Sequence, residues 1–487
     1  MKKIILTLLI IFLIPIPLYA LENLNIVTYA DFHYIRDITS SINHVYFATT
    51  EGVIRYNKLE KKWEEPLTDD PSIEHRNIGQ VYVDRFDKKL YGKTEDANYE
   101  YDINFEKWYE IGEIPKVDND YKFIKPPPIM YVPAGYNYSA DGFIIDRFGR
   151  NYQISAMIDD LSTSTWIGTW GFGAAMTQAS TNFVEFLPYG LLQNRVQTIF
   201  NDNGQLLISG DVFNSSRTGI TLFDPDYNDF EYIESGVDFD LPAVNIQSIE
   251  SDKKNYYIGT ETGLRIIDKD SRKIIKYYTE RTGLIDNNII ALHRRGDSLF
   301  IGGEYGLQMI FLSTDSMKII YPNQFLNSTI YDIKSTDTTL WIASAQGAFQ
   351  LNFKTDALQR FKDPSTTIFS SANGLAVSRR YIFISSNNGM VRLNLKTGQI
   401  DSFLSVRSGY RPRPVAAYDD VAFLGTDNGF IMYYLTKKGL DNEREFTEFD
   451  GLPSSYIHEL LLDGDFLWVG SNKGLTKFLW NDPYRVD

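Results

Sequence analysis

The sequence predicts an all-β protein, a β-propeller of four-stranded antiparallel blades. Three observations predict it. A twelve-residue phrase recurs as VYFATTEGVIRY (45–56), YYIGTETGLRII (256–267), LFIGGEYGLQMI (299–310), LWIASAQGAFQL (340–351), IFISSNNGMVRL (382–393), AFLGTDNGFIMY (422–433) and LWVGSNKGLTKF (467–478). Its eighth place is always glycine, and the last six of these (Gly263, Gly306, Gly347, Gly389, Gly429, Gly474) are spaced by 43, 41, 42, 40 and 45 residues. A fixed period of this size marks a repeat architecture. The chain also holds 32 Tyr and 31 Phe among its 487 residues, the residue types that suit pleated, half-buried surfaces.

One repeat shows how each element arises. Val244–Ile249 roughly alternates apolar and polar, as a first strand should. Tyr256–Ile258 is a short apolar run, expected where neighbouring sheets cover both faces. Small Gly259 lets another backbone approach. Thr260–Gly263 is a tight turn whose glycine takes positive φ at little cost. Leu264–Ile267 returns as a third strand and Ile274–Tyr278 makes a fourth. Helical repeats would need amphipathic helices, which the sequence does not offer, and leucine-rich repeats have about half this period.

Three further units are degraded. LYGKTEDANYEY (90–101) has Ala97 in the glycine place, TWIGTWGFGAAM (165–176) widens its turn through Trp170, Gly171 and Phe172, and LLISGDVFNSSRTGITLF (206–223) inserts six residues before Gly219. That makes about ten blades. The last repeat has three strands and little chain left for a fourth, whereas LNIVTY (24–29) resembles an outer strand yet precedes the first blade. The expectation is one ring spanning 21–487, closed by this N-terminal strand, with two smaller propellers as the alternative.

Lys2 and Lys3, an apolar run over 4–14 and PLYA ending at Ala20 read as a secretory signal peptide over 1–20, cut after Ala20, giving a secreted or periplasmic product. There are no cysteines, which excludes disulfides and thiolate metal sites. The formal net charge of −15 disfavours nucleic acid and anionic lipid. No later segment is long and apolar enough to span a bilayer, so the product is expected not to be membrane-embedded.

The phrases LWVGSNKGLTKF, YYIGTETGLRII and LWIASAQGAFQL resemble the two-component regulator propeller repeat. That resemblance covers nearly all of the mature chain except 113–151. It implies a periplasmic sensor-type propeller, here expected as a stand-alone exported protein. The motif specifies blades and is nearly silent about chemistry.

Residues 113–151 break the period with Pro126–Pro128 and YVPAGYNY. Two readings stand: a binding loop with exposed tyrosines, or a filler in which Phe143–Asp146 pairs onto a blade edge. Together with the widened turn, the first reading makes Tyr136, Tyr138, Trp170 and Phe172 the expected wall of a concave ligand site. The hairpins between second and third strands share one face, where Glu304, Tyr305, Asn387, Asn472 and their counterparts would form a polar ring around a channel mouth; tight turns want the same residues anyway. Asp224, Asp226 and Asn228 imitate a calcium loop, but Asp229 replaces its glycine, and a hairpin turn accounts for them better. STDTTLW (335–341) looks like an Asp-box without its glycine. The five histidines (His33, His44, His75, His293, His458) show no metal-ligand spacing, and Arg407, Arg411 and Arg413 sit in an expected solvated connection. No catalytic motif, cofactor fingerprint or metal site appears. The expected function is a non-enzymatic binding or sensing module for a glycan, a peptide or an envelope protein. The alternatives are a propeller-type glycoside hydrolase or polysaccharide lyase, and a structural envelope component.

Overall fold

The computed structural model describes residues 26–67, 78–103, 105–117, 121–160, 164–178, 181–213, 217–236, 244–361, 371–406, 414–437 and 439–481. The signal-peptide segment, His75 and the three arginines at 407–413 lie outside them. Ten antiparallel sheets follow one another along the chain, so the propeller class and the blade count agree with the sequence. They are numbered here as blades 1 to 10: 35–63, 80–111, 151–187, 196–234, 246–278, 289–319, 330–360, 374–405, 415–446 and 457–479.

The recurring phrase has a physical basis in each hairpin. All seven phrase glycines have positive φ, from +93° at Gly429 to +141° at Gly389. At Gly263 (φ +128°) an added Cβ would stand 2.2 Å from the Tyr278 carbonyl oxygen, so conformation and space both demand glycine. The small polar residue three places earlier closes the turn. Thr260 Oγ1 donates to the Gly263 carbonyl (2.8 Å) and accepts from the Thr262 N–H (3.1 Å). Thr49, Ser344, Thr426 and Ser471 repeat this with Gly52, Gly347, Gly429 and Gly474. The glycine inside the second strand has another task. A Cβ on Gly259 would collide with Ile289 of the next blade, on Gly302 with Ile330, and on Gly425 with Ile457.

This packing decides how the blades are arranged, and it corrects the expected single ring. Gly470 of blade 10 faces Val196 and Ile199 of blade 4, while Gly168 of blade 3 faces Ile35 and Ile38 of blade 1. The inner strands of blades 4 to 10 pack consecutively and close, blade 10 against blade 4. Blades 1 to 3 form a separate arc in which the inner strand of blade 1 lies between those of blades 2 and 3. The molecule is a seven-blade ring carrying a three-blade arc. Closure by the N-terminus is as expected: Ile26–Tyr29 pairs antiparallel with 475–478 as the fourth strand of blade 10. It seals seven blades, not ten, because the chain then leaves the ring, builds the arc and returns.

Exit and return run side by side. The Leu191 N–H donates to the Ala30 carbonyl (2.8 Å), and a Cβ on Gly190 would stand 2.6 Å from that same oxygen. Around them lies an aromatic seam between arc and ring. Tyr189 stacks on Trp63 (4.6 Å) and Phe32 (5.7 Å) and meets Phe230 edge-on, while Tyr29 packs on Phe223 and Trp468. All these rings are buried.

The ends of the arc are finished differently. The far face of blade 2 sets Gln80, Lys93, Asn98 and Glu100 among Tyr82, Tyr91, Ile111 and the exposed Tyr109, with residues 113–117 beside Tyr82, Lys93 and Asn98. The far face of blade 3 is apolar, with Met157, Ile167, Ala175 and Val184, and the 113–151 insertion covers it through Met130, Val132 and Tyr138. The insertion also adds strands: Phe143–Ile145 pairs with 151–153, and Lys122–Phe123 pairs with 158–159. The pairing half of the filler reading therefore holds.

Candidate functional site

The four aromatic residues expected at one wall all lie on the arc. Phe172 packs on Phe186 (4.6 Å), Tyr152 (5.1 Å) and Tyr136 (5.5 Å), and the Tyr138 hydroxyl donates to the Pro127 carbonyl. The Arg217 guanidinium from blade 4 lies 4.9 Å over the Phe172 ring and 5.1 Å over Tyr232. It pairs with Glu234 (3.2 Å), which also accepts from Arg150 (2.6 Å), itself paired with Asp146 (2.6 Å). Burial opposes the Glu234 charge, but Arg217 and Arg150 more than offset it and hold the carboxyl below its usual range. This cluster fastens the arc to the ring.

Trp170 stands apart from it, 46% exposed and edge-on to Tyr34 at 5.4 Å. The widened turn is clamped onto the crossing segment, since the N–H groups of Gly171 and Gly173 both donate to the His33 carbonyl. Glu304 and Tyr305 belong to the blade 6 hairpin on the ring. The fold does not bring them together with the other four. Glu304 accepts from Asn288 (2.9 Å), and the Tyr305 ring is exposed.

The fold builds two concavities on the hairpin face; the sequence pointed to a channel mouth ringed by hairpin residues there, but not to the second. The first is the ring's channel, a cavity of about 870 Å³ lined by the inner strands of all seven blades. Five of these strands carry a bulge near their start, for example between Ile246 and Ser248 and between Ile457 and Glu459. A bulge re-aims side chains locally; Gln247, Tyr331 and His458 at the bulges line the channel. Farther in, Lys334 pairs with Asp332 (3.7 Å), and His293 bridges Glu250 (3.4 Å) and Ser335 (2.7 Å). Burial pushes the Glu459 carboxyl up to about 7; Lys334 across the channel lowers it and Asp332 raises it again. Lys334 is held above its ordinary value, chiefly by Asp332.

The second concavity, about 670 Å³, lies at the junction of arc and ring. The blade 1 hairpin, the crossing segments and the hairpins of blades 4 and 10 form it. One chain of contacts joins the two: His458 of the channel meets both Asn472 (2.6 Å) and Arg195 (3.4 Å), and both of these line the junction groove. The hairpin-face ring is thus braced, with Asn387 likewise held by Asn373 (2.9 Å). The alternation of the inner strands hinted at channel-facing positions, but the junction depends on which blades meet, which no local pattern encodes.

The calcium-loop look-alike is a hairpin turn. Asp224 Oδ1 accepts from the N–H groups of Asp226 and Tyr227, and Asp224 pairs with Asp229 across the turn. Among the described residues no group of three or more His, Asp or Glu side chains could hold a metal ion, and no helix is long and apolar enough to cross a membrane.

No family model and no curated protein matches the sequence. Solved structures do. The chain is similar to PorZ, a bacterial surface component essential to the type-IX secretion system of Porphyromonas gingivalis. The identity is 14% and the TM-score 0.51, over 91% of this chain and 68% of that one. It is also similar to the extracellular domain of the putative hybrid two-component system BT4673 from B. thetaiotaomicron (14%, TM-score 0.48, 93% of this chain and 71% of that one). A third match is the WD40 domain of Neurospora crassa Pan2 (11%, TM-score 0.44, 60% and 91%). At these identities the likeness to PorZ shows the fold alone. The fold is a β-propeller.

Proposed function

We propose that this chain is an exported, non-enzymatic propeller of the two-component regulator type that binds a glycan, a peptide or an envelope protein. The observation that supports this most is the hairpin face, where the ring's channel and the junction groove lie side by side and His458 of the channel contacts Arg195 and Asn472 of the groove. It is rigid, open and lined by polar groups already braced to one another, as recognition requires. The channel's own charged groups are engaged in ion pairs and hydrogen bonds. A carbohydrate-active enzyme is the second reading, supported by a channel carboxyl poised near neutrality.

The test is a binding screen against glycans and peptides with a turnover assay on the same panel, repeated on His458→Ala. Binding without turnover, weakened by the substitution, is the expected outcome. Turnover would transfer the protein to the enzyme reading. Absence of any binding would leave the envelope-scaffold reading in its place.

A further inference from the structure

We infer that the junction groove between arc and ring is a binding site for a neutral oligosaccharide, a deepening that rests on the binding-module reading above. The argument begins with ring faces. A pyranose presents an apolar C–H face that lies flat on an aromatic ring, and its hydroxyls favour planar partners that donate and accept in pairs. Phe213, on the blade 4 hairpin, is 68% exposed at the rim of the groove. Tyr34 lines the opposite, arc-derived side, propped edge-on by the exposed Trp170.

The polar lining is of the matching kind. Asn194 Oδ1 accepts from the Asp31 N–H (2.7 Å) and its Nδ2 donates to Glu51 (3.0 Å), which fixes that carboxylate at the groove wall. Arg195 donates through Nη1 to Asp211 (2.8 Å) and through Nε to His458 (3.4 Å), with its side chain partly in water. Gln193 is the independent pointer. It lines the groove, it is 4% exposed, and its Nε2 has no hydrogen-bond partner. A buried donor without an acceptor costs stability unless something supplies one. The terminal torsion of glutamine is broad, so the amide can swing toward a ligand hydroxyl at this wall.

Charge selects among sugars. Asp31, Glu51 and Asp211 line the groove against the single arginine, on a chain of net charge −15, which disfavours uronate or sulfated chains and leaves neutral ones. A cavity of about 670 Å³ holds two or three hexose units. The site exists only where arc and ring meet, since Tyr34, Thr50 and Glu51 come from one and Asp211, Phe213 and Asn472 from the other.

The experiment is titration calorimetry of the full mature chain with maltohexaose, cellohexaose, xylohexaose and chitohexaose. It is repeated on Phe213→Ala, Gln193→Met and Lys334→Ala, each checked by its melting temperature. Binding of at least one hexasaccharide is expected, weakened about tenfold or more by Phe213→Ala and severalfold by Gln193→Met. Phe213 is exposed, so its variant folds and the result is interpretable. The inference is overturned if no hexasaccharide binds, or if Phe213→Ala binds as well as the parent chain. If Lys334→Ala abolishes binding while Phe213→Ala does not, the sugar sits in the channel; the groove assignment then fails and the binding-module reading survives.

Discussion

The seven-blade ring and the three-blade arc are made of the same repeat, yet they dispose of their end faces in opposite ways. In the ring every blade covers the next, and Gly470 against Val196 returns the last blade to the first. The arc has two ends to finish. Blade 2 does so with a far face that mixes tyrosines with polar and charged side chains, and blade 3 by borrowing the 113–151 insertion as a lid over Met157, Ile167, Ala175 and Val184. An irregular stretch of sequence, open in isolation to a binding-loop and to a filler reading, meets a packing need here. The difference teaches that a blade's local signature specifies its own hairpins, while its position at an end or in a circle is settled by what lies against its faces.

Removing the fourth strand of blade 10 is the harshest way to test this contrast. Deleting 24–29 should open the ring and lower its melting temperature by about 10 °C or more, with the arc changing less. Calorimetry would show it, and rapid hydrogen exchange at 26–29 in the intact protein would contradict the strand's role. The next largest effect is expected at the lid. Met130→Asp places a charge against an apolar face and should cost about 2–4 kcal/mol in urea unfolding. That loss should fall on a transition that the ring's tryptophan signal at Trp341, buried between blades 7 and 8, does not follow.

Gly263→Val should cost about 1–3 kcal/mol, since φ of +128° and the Tyr278 carbonyl both oppose a side chain. A stability unchanged within error would refute the hairpin account. The channel offers a pH test. Glu459 has a folded pKa of about 7, above its ordinary value, so stability is fully present below about pH 4.5 and falls as pH rises through 7. Glu459→Gln should flatten that slope and stabilise the ring at pH 8 by about 1–2 kcal/mol, discounted for the wet channel. The arc has its own window. Asp87 and Glu64 hold His44 charged against the cost of burial, with its pKa up at about 9, so arc stability should fall as pH rises from 6.5 through 9. The smallest effect belongs to Trp170→Ala. With the ring half exposed, the melting temperature should move by no more than 1–2 °C.

Much of the fold was legible because it is local. The glycine at the eighth place, with a Thr or Ser three residues before it in six of the seven phrases and Gly303 in the other, encodes one hairpin each, and all seven phrase glycines take positive φ. The fourth strand from the N-terminus was legible as a deficit in the last repeat, matched by a surplus before the first. The split into ring and arc was not, because the same small residue in the second strand serves both. Gly168 and Gly470 look alike in sequence, and only the fold says that one meets Ile35 and the other Val196. Of the candidate site, the polar hairpin face was foreseen in Asn387 and Asn472. Gln193, Asn194, Arg195 and Phe213 were missed, since they fall in a crossing segment and an enlarged hairpin whose meaning depends on their neighbours across the seam.

The strand Ile26–Tyr29 has a consequence for the order of assembly. It is the first part of the ring to be synthesised and among the last to find its place, because its partner, 474–479, emerges only after all the other blades. The arc, whose strands are all made by residue 187, can form while the ring is still unfinished. The protein is thus one domain nested inside another, the inner able to fold early and the outer held open by its own first strand until translation is nearly over.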